Sequence, residues 1–87
     1  METTAQVSLY PLRQSSIGVA IREAIGIFRA HGLEPKIGVT STVIQGEAPT
    51  VFSALQEAYG RAAERGDAVM IVTLTNAAPE PDRLVGW

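Results

Sequence analysis

The sequence predicts an α+β domain with the element order βαββαβ. Three observations carry this expectation: two-residue alternation near residues 6–12 and 67–75, two apolar stripes of helical period, and a β-branched stretch without helical period between them. A length of 87 residues, 46% of them hydrophobic and 18% charged, suits one globular domain. So short a chain buries only a thin core, and self-association is a natural way to hide more apolar surface.

The first strand is expected over Gln6–Leu12, with Val7 and Leu9 on one side and Gln6, Ser8 and Tyr10 on the other. Ser15 or Ser16 can cap the next helix, in which Ile17, Ala20, Ile21, Ala24 and Phe28 form one stripe. Gly32 stops that helix just after Arg29 and His31. Leu33–Val39 and Ser41–Glu47 read as two strands joined near Thr40. Pro49 fits the first turn of a second helix, whose stripe of Val51, Phe52, Leu55, Ala58, Tyr59 and Ala62 runs to Gly66. Asp67–Thr75 is the last strand, with Ala68, Met70, Val72 and Leu74 on one face and Val69, Ile71, Thr73 and Thr75 on the other. After Asn76, Pro79 and Pro81 block helix and sheet, so the domain is expected to span residues 1–79 and residues 80–87 to be an extended or mobile tail whose Trp87 can dock on a neighbour.

This order is that of the split βαβ, ferredoxin-like plan: a four-stranded antiparallel sheet with both helices on one face. The other face is left uncovered, so a homo-oligomer, dimer or tetramer, is expected through the sheet face or its edge. A net charge of −2 with scattered Lys and Arg argues against nucleic acid. The lack of cysteine removes disulfides, thiolate metal sites and thiol nucleophiles, and a lone histidine makes a metal site unexpected. The polar start Met1-Glu2-Thr3-Thr4 and the lack of a long apolar run predict a cytoplasmic protein that does not enter the membrane.

His31, at a helix end, is read as structural, and Glu57 with Arg61 as an ordinary surface pair at i, i+4. Gly46 near a helix start hints at an anion site, but no Gly-rich loop or Lys accompanies it. That hint is the only support for a small hydrolase of the acylphosphatase kind, and Arg13 alone does not make the phosphate-cradling loop it needs. What remains is a polar and aromatic set at strand positions: Ser8, Tyr10, Ser41, Thr42, Thr73, Thr75 and Asn76. Hydroxyls and an amide around an aromatic ring suit a flat heterocycle, because they supply directed donors and acceptors without reactive groups. The competing reading of the same residues is that Ser and Thr are simply good exposed strand residues.

The segments Val7-Ser8-Leu9-Tyr10-Pro11-Leu12, Ser41-Thr42-Val43-Ile44-Gln45-Gly46, Val51-Phe52-Ser53-Ala54-Leu55 and Asn76-Ala77-Ala78-Pro79 resemble, in order and spacing, the YkoF-like family. That resemblance implies a ferredoxin-like domain that holds thiamine or its hydroxymethylpyrimidine moiety for uptake or salvage, without transforming it and without a cofactor. Two departures are visible: one domain where well-known members have a tandem pair, and Ala78 where relatives often carry cysteine. The first implies that a homo-oligomer replaces the tandem. Matching motif positions and strand facing assigns Ser8, Thr42 and Asn76 as hydrogen-bonding residues, and because a thiazolium cation benefits from an aromatic face or a nearby carboxylate, Tyr10 and Glu47 are the candidates for it. The pocket is expected on the open sheet face or at a subunit boundary. The alternative is an oligomeric interaction or regulatory module without a vitamin ligand.

Overall fold

The structure is a computed structural model and describes residues 1–14 and 16–77. The expected tail over residues 80–87, Ser15 as a cap, and Ala78 lie outside the described residues. The elements follow in the predicted order: β1 (Glu2–Leu12), α1 (Ile17–Ala30), β2 (Lys36–Ile37), β3 (Thr42–Glu47), α2 (Ala48–Arg65) and β4 (Asp67–Thr75). They build one antiparallel sheet in the order β2-β3-β1-β4, with both helices on one face. This is the ferredoxin-like α+β arrangement.

β1 starts four residues earlier than its alternation suggests. Its opening segment Glu2-Thr3-Thr4-Ala5 pairs with β3 throughout and from Thr4 onward also with β4, Thr4 facing Gln45 on β3 and Thr75 on β4. Pairing from two neighbours overrides the weak strand signal of so polar a segment. β2 is shorter than expected, because the residues before it are used otherwise. The Leu33 N–H bonds the Phe28 carbonyl at 3.0 Å and the Gly32 N–H bonds the Arg29 carbonyl at 2.9 Å, closing α1 with a left-handed Gly32 at φ 79°. Pro35 then has no N–H to give, and the Gly38 N–H turns back to the Ser41 carbonyl at 2.8 Å.

The core joins Ala5, Val7 and Ile44 of the sheet to Ala24, Ile25, Ile27 and Phe28 of α1 and Val51, Ala54, Leu55 and Ala58 of α2. Ile17, Phe52 and Tyr59 were expected in the buried stripes and are instead 57%, 53% and 48% exposed. The buried line of α2 passes through Val51, Leu55, Ala58 and Ala62, so Phe52 and Tyr59 sit on its flank. Ser16 occupies the N-cap of α1, but its side chain makes no capping hydrogen bond.

Side-chain ties link the helices. Glu57 shares a 2.8 Å hydrogen bond with His31 rather than pairing with Arg61, which reaches Glu23 at 3.9 Å. Arg65 holds both Glu23 oxygens, at 3.1 and 3.2 Å, and this hydrogen bond is the main reason the Glu23 carboxyl lies below its ordinary range. The Glu57–Arg61 surface pair is therefore replaced by ties from α2 to α1, because the helices lie close enough for cross-links to outcompete a local pair.

Gly46 lies within β3 opposite Thr3, on the helix-facing side. A Cβ there would stand 2.7 Å from Leu33 Cδ2, so the glycine makes room for a core side chain. This packing role accounts for the residue that had hinted at an anion site. Among the described residues no group of three or more His, Asp or Glu gathers as a metal site, and no helix is long and apolar enough to cross a membrane.

Candidate functional site

A cleft of about 290 Å³ opens between α1 and the β2–β3 end of the sheet. Alternation along the strands places Val7 and Leu9 of β1, Thr42 of β3 and Met70 of β4 toward the helices, where they meet Ile21, Ala24, Ile25 and Phe28 of α1. Ile37 of β2 and the turn Gly38–Ser41 form the mouth. The apolar wall follows from the amphipathic stripe of α1, and the polar end follows from a turn made of Gly, Thr and Ser.

The turn is fastened to β1. Ser8 Oγ donates to the Thr40 carbonyl at 3.3 Å, and Gln6 Nε2 donates to Ser41 Oγ at 3.3 Å. These contacts form because β3 begins at Thr42, opposite Val7, so that beyond this point the turn takes the place of a paired strand beside β1. Ile37 and Val39 at the mouth are left exposed, Val39 completely. No lining residue carries a charge. The cleft can therefore take an uncharged group of single-ring size, with apolar contact along α1 and hydrogen bonds at the turn.

Of the residues expected to gather, Ser8 and Thr42 both line this cleft. Tyr10 is half-exposed on the open face, opposite Val69 and two residues beyond Ser8. Glu47 and Asn76 lie at the far end of the sheet. Glu47 faces Glu2, and Asn76 follows Thr75, which faces Thr4. Eight residues of strand separate the levels of Tyr10 and Glu47, roughly 27 Å at about 3.4 Å per residue. One cation cannot be held within the roughly 6 Å that a ring contact needs and also touch Glu47. Glu47 already accepts the Met1 amino group at 2.9 Å, and that hydrogen bond holds its carboxyl below the ordinary range. The structure thus divides the expected set between two ends of the sheet, and within one protomer Tyr10 and Glu47 stand too far apart to act on the same cation.

The cleft lies on the helix side of the sheet, whereas the pocket is expected on the open face or at a subunit boundary. Sequence reasoning placed Ile21, Ala24 and Phe28 in the α1 stripe and left Ile25 out of it, and it read Gly38–Thr40 only as a turn. The available signal was Ile37-Gly38-Val39, where two apolar residues flank a turn glycine with no strand partner to cover them.

An open antiparallel sheet with two helices on one face and a cleft under α1 defines the class as a ferredoxin-like α+β domain. The chain belongs to the YKOF-related family, whose sequence model matches residues 2–81. No curated protein matches the sequence. Among solved structures the chain is similar to a hypothetical protein of Methanocaldococcus jannascii, with a TM-score of 0.79, 20% identity, and coverage of 95% of this chain and 88% of that one. It is similar also to a domain of unknown function from Bacillus cereus, with a TM-score of 0.80, 14% identity, and coverage of 98% and 88%. A third is a Thermotoga maritima protein assigned provisionally to thiamine biosynthesis or salvage, with a TM-score of 0.73, 16% identity, and coverage of 85% and 82%. At these identities the likeness is one of fold.

Proposed function

We propose that this protein, as a homo-oligomer, reversibly binds thiamine or its hydroxymethylpyrimidine moiety in the cleft under α1, and holds it for uptake or salvage without transforming it. The family membership and the thiamine assignment of the Thermotoga maritima neighbour support the vitamin class. The observation that carries the reading is the cleft itself: apolar walls, helix-facing Thr42 and the backbone of the Gly38–Ser41 turn at one end, and no charged lining residue. An aminopyrimidine ring needs that combination of flat apolar contact and matched donors and acceptors. At about 290 Å³ the cleft is just below the roughly 300–1,000 Å³ common for small-molecule sites. One ring fits, and the thiazolium of whole thiamine would extend past Ile37 and Val39 into solvent.

Calorimetric titration with hydroxymethylpyrimidine and with thiamine tests this. Saturable binding is expected, tighter for the pyrimidine, with an increase in Tm of roughly 10–20 °C at a hundredfold excess over Kd, equivalent to about 2.7 kcal/mol. Thr42→Val should weaken binding about fivefold through loss of one hydrogen bond, and Glu47→Gln should leave it unchanged. Ligand recovered after incubation should have its original mass; a new product would refute the non-catalytic part. No heat and no thermal stabilisation with either ligand would refute the vitamin reading and leave the interaction module, which the exposed Val69 and Ile71 of β4 favour.

A further inference from the structure

Val39 is the most exposed large hydrophobic residue among the described ones, and it borders the cleft under α1 while burying nothing of itself. A β-branched residue is an unusual choice for the tip of a turn that stays in water, where Gly, Asn or Asp serve better. Val39 and Thr40 are the two residues between Gly38 and Ser41, which are joined by the 2.8 Å bond from the Gly38 N–H to the Ser41 carbonyl. A Cβ at position 38 would lie 3.0 Å from that same carbonyl oxygen, so a turn this close depends on glycine.

The turn is tied away from the cleft. Gln6 stands opposite Thr73 and Ser8 opposite Ile71, at positions that alternate with the core residue Val7, so both side chains belong to the open face of the sheet. Their bonds to Ser41 Oγ and to the Thr40 carbonyl, each 3.3 Å long, therefore draw the turn toward the open face, while the cleft lies on the helix side. Both bonds are long, and the groups they release find water at once. The sheet adds little hold, because β2 has two residues and pairs with β3 alone. Burying an isopropyl group and breaking two solvent-accessible hydrogen bonds are effects of similar size and opposite sign. What occupies the cleft therefore decides the balance, since closing over a ring removes more apolar surface from water than closing over an empty cleft.

We propose that the Gly38–Ser41 turn is a lid, latched open by Ser8 and Gln6, and that Val39, folded onto the bound ring, is the residue that selects free hydroxymethylpyrimidine over whole thiamine. This rests on the binding function proposed above and adds its specificity. A single ring lies wholly beneath the closed turn. The thiazolium of thiamine leaves the cleft past Ile37 and Val39, through the space that the closed turn fills, so with thiamine the latch stays made and Val39 stays in water. A permanently charged ring also gains nothing from an apolar cover.

Calorimetric titration of the wild type and of Val39→Ala, Val39→Ile and Ser8→Ala with each ligand, beside methyl NMR, tests the lid. Val39→Ala should weaken hydroxymethylpyrimidine about tenfold, as expected for two carbons no longer buried, and thiamine less than twofold. Val39→Ile should keep the wild-type preference. The Tm of the unliganded protein should be the same in both Val39 variants, because the side chain is fully exposed until the lid closes. Ser8→Ala, which opens the latch, should tighten hydroxymethylpyrimidine about two- to fivefold. Overhauser contacts from the Val39 methyls to the pyrimidine should appear with hydroxymethylpyrimidine and be missing with thiamine. Equal weakening of both ligands by Val39→Ala, weakening of neither, or weaker pyrimidine binding in Ser8→Ala would overturn the lid and leave the binding function standing. A wild type that takes up neither ligand would overturn both.

Discussion

Replacing Gly46 by alanine tests the packing that sets the β3 end of the fold against the turn after α1. The new Cβ would stand 2.7 Å from Leu33 Cδ2, while ordinary carbon contacts lie near 3.5–4.0 Å, so Leu33 or the strand has to move by about 1 Å. Leu33 cannot move freely. It is 5% exposed, and its N–H is bound to the Phe28 carbonyl at 3.0 Å where α1 ends. Overpacking of this kind costs about 1–3 kcal/mol. The lost flexibility of glycine in the unfolded chain returns about 0.4–1 kcal/mol, so mid-range values leave a net destabilisation of about 1 kcal/mol. In urea, with a slope near 1 kcal/mol/M for so small a domain, the midpoint should fall by about 1 M at constant slope. The double variant with Leu33→Ala should show no added cost from Ala at position 46, because the clashing methyl is gone. An unchanged or raised midpoint in the single variant, or full additivity in the double, would refute the clash.

Phe28→Ala should cost about 3–5 kcal/mol, since Phe28 is 1% exposed and joins the core to the cleft wall; urea unfolding would show it, and a loss below 1 kcal/mol would contradict such burial. Glu23 contributes through a lowered folded pKa, so its stabilisation is complete above the ordinary value of 4.5 and is lost as pH falls through the folded value. Glu23→Gln should therefore flatten the decline of stability with acid below about pH 4.5, and an identical slope in the two proteins would remove the Arg65 pair from that decline. Ser8→Ala frees the Thr40 carbonyl and should cost no more than about 1 kcal/mol while speeding exchange of the Gly38 amide, which sits in the turn; unaltered exchange would show that Ser8 does not fasten it.

The element order and most of the buried faces are legible in the sequence, because strand and helix periods are local: Val7 and Leu9 against Ser8 and Tyr10, or Ala20, Ala24 and Phe28 at helical spacing, show in any window that contains them. From that order the antiparallel topology followed, and family motifs spread through Val7–Pro79 agree with the match over residues 2–81. Element ends were less legible. Glu2–Ala5 becomes strand because β3 pairs with all of it and β4 with Thr4 and Ala5, and Leu33 is lost from β2 because it closes α1. The site was half legible. Ser8 and Thr42 meet at the cleft, yet residues on one sheet face can still stand some 27 Å apart along it, so shared facing did not bring Tyr10 to Glu47. Only tertiary structure decided where a gap opens between α1 and the β2–β3 turn, and which flank of α2 leaves Phe52 and Tyr59 bare. These depend on how whole elements are spaced and oriented, and no local pattern encodes a distance between elements remote in sequence.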